Sequence, residues 1–431
     1  LERAVPIDPE AARERLHIVT KMIEDLRDTR RIEVSWSEKR LDLLRNKASN
    51  ERLAVFERQC ALGQLSVTEH RFDVAKNVLI KNFSDFAFLY PRNGHFFHHI
   101  LQLALSMQAF GVAAAFLNDF NEAKDVFEIF IDEESRFLGC HRIAVDACSR
   151  KCSLGLDPQI IGAEWADHLV ARWASSAPLW GSFCDGNDVA SGRTILNTLD
   201  TAHISGLAYC GNKPQFILVP DGAFLESKGH AQLREKMAAH WKAWEGREAK
   251  AFWRGGTTGI RTSPDWRSLP RIALCEKSLQ RPDLLDAGIS GFAQLRSAAE
   301  GAEITEAGLL RGPTPPEGFL NYKYQIDIDG NSNAWAGLIQ KLLTGGAVLK
   351  VESPHGFRQW YYDRLEPFEN YVPVAADMSD LFEKIEWLKS HDGKAREIGE
   401  NGRALAMSLD YASQLSGSHA KIREAFEKAP A

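Results

Sequence analysis

Neither sign of charge dominates this 431-residue chain, in which 52 Lys and Arg stand against 58 Asp and Glu for a formal charge of −6. A nucleic-acid binder usually carries a basic excess, so no nucleic-acid partner is expected, although a local basic patch can still hold a phosphate. Low-complexity tracts are lacking too. With 10% aromatic residues, that excludes collagen-like, coiled-coil and disordered classes. The longest stretch without Asp, Glu, Lys or Arg runs from Asn93 to Asn118 and contains three His and two Gln. It reads as a buried helix, not a lipid-facing span.

A disulfide framework is also missing. The seven cysteines, Cys60, Cys140, Cys148, Cys152, Cys184, Cys210 and Cys275, are odd in number and sit mostly within apolar or helical patterns. Reduced thiols are the expectation. Cys148 and Cys152 would share a helix face, but no Cys/His cluster elsewhere completes a zinc set, so structural thiols are favoured and no metal site is expected. The lead LERAVPIDPEAARERL lacks the basic and apolar regions of a signal peptide. A cytoplasmic location follows as the expectation.

At about 150 residues per domain, the length suggests two or three domains. Residues 1–155 read as an α-helical domain, with helices expected at 9–30, 38–62, 68–82, 95–118 and 121–150. The apolar spacing is helical in Ile18, Met22, Ile23 and Leu26, and again in Val126, Phe127, Phe130 and Ile131. Such an array either recruits partners or simply extends or dimerises the fold. Beyond it the texture changes. QFILV (Gln215–Val219) and GAVLKV (Gly346–Val351) are short, β-branched runs bounded by Gly, Pro or Asp, as in buried parallel strands. They alternate with helical segments at 229–247, 333–343, 379–390 and 394–407, the rhythm of doubly wound sheets. Two Rossmann-like lobes are expected at 156–248 and 249–408, followed by a C-terminal helix in 409–431. A ligand would lie in the cleft between them.

Three features carry chemistry. In FWRGGTTG (252–259), followed by Arg261, Arg267 and Arg271, small residues admit an oxyanion, hydroxyls add donors and guanidinium groups clamp phosphate. The run reads either as a diphosphate cradle or as a plain surface turn. It is not a P-loop, since no Gly-Lys-Ser/Thr ending is present. In YKYQIDIDGNSNAW (322–335), an alternating strand enters a Gly/Asn/Ser turn and a helix start suited to a phosphate. Asp327 and Asp329 lack a third carboxylate at calcium-loop spacing, so a structural role is favoured over a metal. In FILVPD (216–221), Asp221 sits just past an apolar strand, where it is either a general base or the N-cap of the following turn.

WRGGTTG, NYKYQIDIDGN, GGAVLKVESP, YYDRLEPFENYVPVAADMSDL and AREIGENGRALA occur in an order that resembles one glycosyltransferase family. That family comprises protein O-glucosyltransferases, fungal capsule-associated xylosyltransferases and bacterial lipopolysaccharide-modifying glycosyltransferases. The resemblance covers about 160 to about 410 and leaves the helical first third outside. It implies an α/β, GT-B-like fold, inverting transfer from a UDP-sugar and no required metal or other cofactor. Asp221 matches the family's catalytic aspartate. Gly256 and Thr257, with Thr258 beside them, fall in its nucleotide loop, and Arg271 matches an arginine that holds the diphosphate. Tyr324 and the turn Asn331, Ser332, Asn333, Ala334 and Trp335 lie beside the nucleotide, and Glu352, after the GAVLKV strand, faces ribose or sugar hydroxyls or else the surface. The chain departs from the eukaryotic pattern near Ala336, where an arginine is implied, and this shifts phosphate neutralisation toward Arg254, Arg261 and Arg271.

The expected function is sugar transfer from a UDP-sugar to a glycan hydroxyl, with the bacterial branch and a lipopolysaccharide-like acceptor favoured. The partners expected are a nucleotide-sugar donor, a saccharide or glycolipid acceptor, peripheral contact with the inner membrane and self-association through the helical domain. The rival reading is a helical interaction or scaffold protein carrying a degenerate, inactive glycosyltransferase module. A phosphorylase or hydrolase fits poorly, because paired carboxylates and a cofactor-lysine motif are not evident.

Overall fold

The computed structural model describes residues 9–26, 38–86, 89, 94–120, 127–131, 141–146, 151–156, 175–186, 191–198, 200, 202 and 204–428. The chain divides into two compact units, Leu1–Leu196 and Asn197–Ala431. No helix among the described residues is long and apolar enough to cross a membrane. Cys140 and Cys148, the end of the helix expected over 9–30 and residues 157–174, 187–190, 199, 201 and 203 of the lobe expected over 156–248 lie outside the described residues.

The first unit opens with α1 (Pro9–Glu24), α2 (Glu38–Ser49), α3 (Val55–Thr68), α4 (Phe72–Asp85), α5 (Gly94–Ser106) and α6 (Phe110–Phe120). Two expected helices are each broken in the middle. An Asx-type turn, in which Arg52 N–H donates to Asn50 Oδ1 at 3.0 Å, separates α2 from α3. Gln108, at φ 53, ends α5, and Ala109 N–H reaches back to the Ala104 carbonyl at 2.9 Å in a Schellman-type closure. The uncharged stretch forms the buried centre, where Phe96, Phe97, Ile100, Leu101, Leu103, Val112, Phe116 and Leu117 are almost wholly enclosed.

The helix expected over 121–150 is corrected by the structure. That span holds β1 (Phe127–Ile131) and β2 (His141–Asp146), followed by β3 (Lys151–Leu156), α7 (Ala177–Asp185) and β4 (Ser191–Asn197). β1 runs parallel to β3, while β2 is antiparallel to both β3 and β4. Period two wins over period 3.6 here, since Ile129 is buried between exposed Glu128 and Phe130. The Asn118 amide then accepts from Ile129 N–H at 2.7 Å and donates to its carbonyl at 2.8 Å, standing in for a neighbouring strand.

In the second unit, β5 (Gly206–Ala208) and β6 (Phe216–Leu218) pair in parallel and lead into α8 (Gly222–Glu226) and α9 (Ala231–Ala239). A five-stranded sheet follows, built from β7 (Glu248–Gly256), β8 (Leu285–Gly291), β9 (Tyr322–Asp327), β10 (Ala347–Val351) and β11 (Val372–Val374). Its spatial order is β11-β10-β9-β7-β8 and every pairing is parallel. Helices α10 (Pro270–Gln280), α11 (Ala298–Glu306) and α12 (Ala336–Leu343) make the first three crossovers, and α13 (Leu381–Ser390), α14 (Asp392–Ser408) and α15 (Tyr411–Glu427) complete the chain. β10 is buried at every position, as a strand covered on both faces must be. The order reverses between β7 and β9. In a doubly wound sheet, that switch point opens a crevice at the strands' carboxyl ends.

Gly399 explains one motif of the sequence. α14 crosses the turn before β10 so closely that a Cβ on Gly399 would run into the Gly345 carbonyl. Backbone cannot rotate away as a side chain can. Gly399→Ala should therefore lower stability by on the order of 1–3 kcal/mol despite its better helix propensity, as read by urea denaturation. A variant at least as stable as the parent would show that the crossing is looser than described.

Candidate functional site at the sheet's switch point

The loops that leave β7 and β9 meet at the switch point, and Arg271 in the first turn of α10 joins them. Its guanidinium donates to the Gly256 carbonyl (3.3 Å) and Thr258 Oγ1 (2.8 Å) on one side, and to the Ile328 (3.2 Å) and Asp329 (3.0 Å) carbonyls on the other. Gly330 leaves room for this arrangement, because a Cβ there would fall 2.8 Å from Thr258 Oγ1 and 3.2 Å from Arg271 Nη2 and displace them. Buried Thr257 fixes the β8 end through both polar groups of the Ala293 backbone, at 2.7 and 2.8 Å. Asn331 accepts from Gly259 N–H at 3.2 Å and donates to Asp200 at 2.8 Å. Ser332 and Asn333 are almost wholly buried; Asn333 Oδ1 accepts from Trp335 N–H at 2.6 Å, while Ser332 Oγ and Asn333 Nδ2 have no hydrogen-bond partner among the described residues. Ala334 closes the turn by accepting from Gly337 N–H, and Trp335, at φ 49, precedes α12 without a side-chain cap. The first turn of α12 thus has no side-chain cap, and apart from Gly337 N–H, which the Ala334 carbonyl meets, its N–H groups form a setting that suits an anion.

The other candidates are placed differently. Arg254 pairs with Asp286 at 2.8 Å and lies over the Phe252 ring, and Arg261 grips Glu300 through two contacts of 2.7 Å. All three arginines are expected to share phosphate neutralisation, and the structure places them unequally for it. Two of them already face protein carboxylates, whereas Arg271 is bonded to neutral oxygens. Tyr324 is corrected as well, since it is wholly buried beside Trp244 in the sheet core. Glu352 is exposed at the carboxyl end of β10, where its N–H donates to the Val374 carbonyl at 2.8 Å.

Asp327 and Asp329 are separated by their neighbours. Burial alone would raise Asp327, but Lys341 and Lys350, each at 3.0 Å, hold its carboxyl down at about 2. Both oxygens are thereby occupied by ammonium groups, which leaves that carboxylate no free ligand atom for a metal. Asp329, with Lys350 at 3.8 Å, is pushed up by burial. Arg271, Lys341 and Lys350 are matched there by Asp327, Asp329 and, through Asn331, Asp200; the two lysines contact carboxylates, while Arg271 is bonded to carbonyls and a hydroxyl.

Asp221 is both of the things its position suggested. Oδ1 accepts from Phe224 N–H at 2.9 Å and so caps α8, while Oδ2 accepts from Gln359 Nε2 at 2.8 Å. Burial raises the carboxyl from 3.8 to about 6, against the opposing pull of these donors. A backbone bridge, with Gly211 N–H to the Arg358 carbonyl at 3.1 Å and Arg358 N–H to the Gly211 carbonyl at 2.9 Å, sets Gln359 beside it. Among the described residues the buried Tyr362 hydroxyl has no hydrogen-bond partner, and its ring feels the charges of Asp221, Asp327 and Asp329. Gln359, Tyr362, Lys341 and Lys350 were not singled out from the sequence. Nothing in their local pattern distinguishes them, because the fold brings them in from separate elements.

A parallel sheet with its crevice at the switch point, a loop junction stapled by Arg271 and a buried carboxylate define a lobe of the nucleotide-binding kind. Residues 207–414 match the model of Glycosyl transferase family 90, and this part of the chain is a domain of that family. Among similar proteins, Protein O-glucosyltransferase 3 of Homo sapiens is 33% identical over 167 residues, covering 39% of this chain and 29% of that protein. Protein O-glucosyltransferase 2 of Danio rerio is 30% identical over 211 residues, covering 46% and 38%. Uncharacterized protein 035R of Invertebrate iridescent virus 3 is 34% identical over 165 residues, covering 37% and 15%. The match thus spans well under half of each relative. These relatives come from animals and a virus, so the expected bacterial setting gains no support from them. A solved structure, Anabaena Alr3699/HepE in complex with UDP-glucose, is 16% identical with a TM-score of 0.29 over 45% of this chain and 51% of that one.

The raised Asp221 carboxyl has a thermodynamic consequence. The folded chain holds this proton more tightly than the unfolded chain does, so its contribution to stability falls as pH rises from about 4 to about 6 and stays lost above that. Asp221→Asn keeps the cap and removes the buried charge. It should gain on the order of 1–3 kcal/mol over the parent at pH 7.5 and little or nothing at pH 4, compared by chemical denaturation at both values. Equal stability of the two proteins at pH 7.5 would place Asp221 in a more solvated setting.

Proposed function

We propose that the chain transfers a sugar from a UDP-sugar to an acceptor hydroxyl with inversion at the anomeric carbon. The observation that carries this reading is that the one stretch matching family 90 holds both the buried Asp221 carboxylate and the junction stapled by Arg271. As the acceptor oxygen bonds to the anomeric carbon, its proton passes to Asp221 Oδ2. The bond from that carbon to the diphosphate oxygen breaks, and the electron pair leaves with UDP. Arg271 and the N–H groups at the start of α12 stabilise the charge that develops there. A base with a pKa near the working pH is effective, and one base opposite the leaving group suffices for an inverting displacement.

The acceptor we infer is a polypeptide hydroxyl, supported by the names of the animal relatives, in place of the lipopolysaccharide first expected. No metal is needed for the step, because guanidinium and backbone N–H groups supply the positive charge. Transfer assays with a panel of UDP-sugars, against folded protein domains and against lipid-linked saccharides, test the reading. Turnover should persist in excess chelator. Asp221→Asn should lose about 10²–10⁴-fold in rate while still binding UDP. Parent-like turnover of that variant rejects Asp221 as the base. A parent protein that neither binds UDP nor turns over any donor favours the scaffold reading.

Arg271→Ala removes a buried cation and the junction between two loops. UDP affinity should fall by on the order of 1.5–3 kcal/mol, the range for a hydrogen bond to a charged group, as measured by calorimetry. Unchanged affinity would move the diphosphate elsewhere.

A further inference from the structure

The helical unit contains a cluster of ligating side chains that sugar transfer does not use. His95 and His99 lie four residues apart on α5, one turn above each other on the same face. Glu57, in the first turn of α3, reaches both. Its Oε2 is 3.2 Å from His95 Nε2, and its Oε1 is 3.6 Å from His99 Nε2. One ligand atom from each of the three residues lies within 4.8 Å of the other two. Tetrahedral zinc, with bonds of about 2.0–2.2 Å to nitrogen and oxygen, places its ligand atoms roughly 3.3–3.5 Å apart; the 3.2 and 3.6 Å contacts here run to different Glu57 oxygens, so small side-chain rotations would bring one oxygen and both ring nitrogens to that spacing.

The surroundings fit the same chemistry. The Glu57 and His99 side chains are only 10% and 12% exposed, whereas His95 is 60% exposed. Three ligands are therefore held on packed helices, and one side opens to water. Phe56 packs edge-on against His95 and Phe96, with Phe86 beside them, which gives the cluster an apolar wall. A buried carboxylate is costly unless its charge is met, and a shared cation meets it while joining α3 to α5. Two imidazoles disfavour calcium or magnesium, which take oxygen ligands, and suit zinc or a similar borderline ion.

We propose that Glu57, His95 and His99 bind one divalent ion of the zinc class, with water at the fourth position, independently of the transfer site. The full chain, treated with chelator and dialysed, would be titrated with Zn²⁺ by calorimetry and with Co²⁺ by visible absorption. One equivalent should bind, Co²⁺ should show the intense visible bands of a tetrahedral field, and Zn²⁺ should raise the melting temperature. Glu57→Gln and His95→Ala should each weaken binding at least tenfold, since even outer-shell losses cost about 10–100-fold. Exposed His17→Ala should change nothing. His95→Ala, which removes a largely exposed ring, decides the matter if Glu57→Gln folds poorly. Failure of the parent to bind stoichiometrically, or undiminished affinity in His95→Ala, overturns the proposal and leaves a carboxylate–imidazole hydrogen bond.

Discussion

Arg271 is the constraint on which the rest of the site depends. A doubly wound sheet opens a crevice wherever its strand order reverses, but an open crevice does not fix the loops around it. Arg271 does that here, because its planar fork bonds the β7 loop through Gly256 and Thr258 and the β9 loop through Ile328 and Asp329. The approach is close enough that a Cβ on Gly330 would displace Thr258 Oγ1 or the guanidinium. Lysine, a point charge on a flexible stem, could not hold four divergent acceptors at once.

The identity of the acceptors decides the electrostatics. Arg254 and Arg261 meet carboxylates, so little of their charge reaches beyond the pair. Arg271 meets carbonyls and a hydroxyl, which satisfy its N–H groups without cancelling its charge. Asp327 plays the converse part: it makes two lysines tolerable in the core, and those lysines keep it ionised. Such a buried set is costly to build, but breaking it by removing one partner is costlier still. The junction therefore combines rigid loops with a guanidinium bonded to neutral oxygens, which is suited to a departing diphosphate.

Much of the second unit was legible in the sequence because its signals are local. QFILV and GAVLKV form strands within a residue or two of the expected ends, and the helices expected over 379–390 and 394–407 appear as Leu381–Ser390 and Asp392–Ser408. The Gly/Thr run and the Asp/Gly/Asn turn reach one crevice because both are strand ends, and strand ends at a switch point converge. Partner choice was not legible. Nothing near Arg254 in sequence announces Asp286, and nothing near Asp221 announces Gln359, 138 residues away. The first unit was read less well for a related reason. FEIFI satisfies both periods over five residues, and Asn118, outside the segment, favours the strand by pairing with Ile129.

Asp221 shows why position alone left two readings open. A cap and a base were alternatives only while the carboxylate was treated as a single acceptor. Oδ1 takes the Phe224 N–H and fixes the side chain, and Oδ2, steered by Gln359, keeps lone-pair capacity for a proton. The cap bond supplies the rigidity that a base needs, and the burial that makes the cap rigid also lifts the carboxyl toward about 6. Ionised above that pH, the group is costly to the fold and useful to the chemistry for the same physical reason. An asparagine would cap α8 equally well and fold at least as readily, so the structural role gives no reason for aspartate there, whereas proton transfer does.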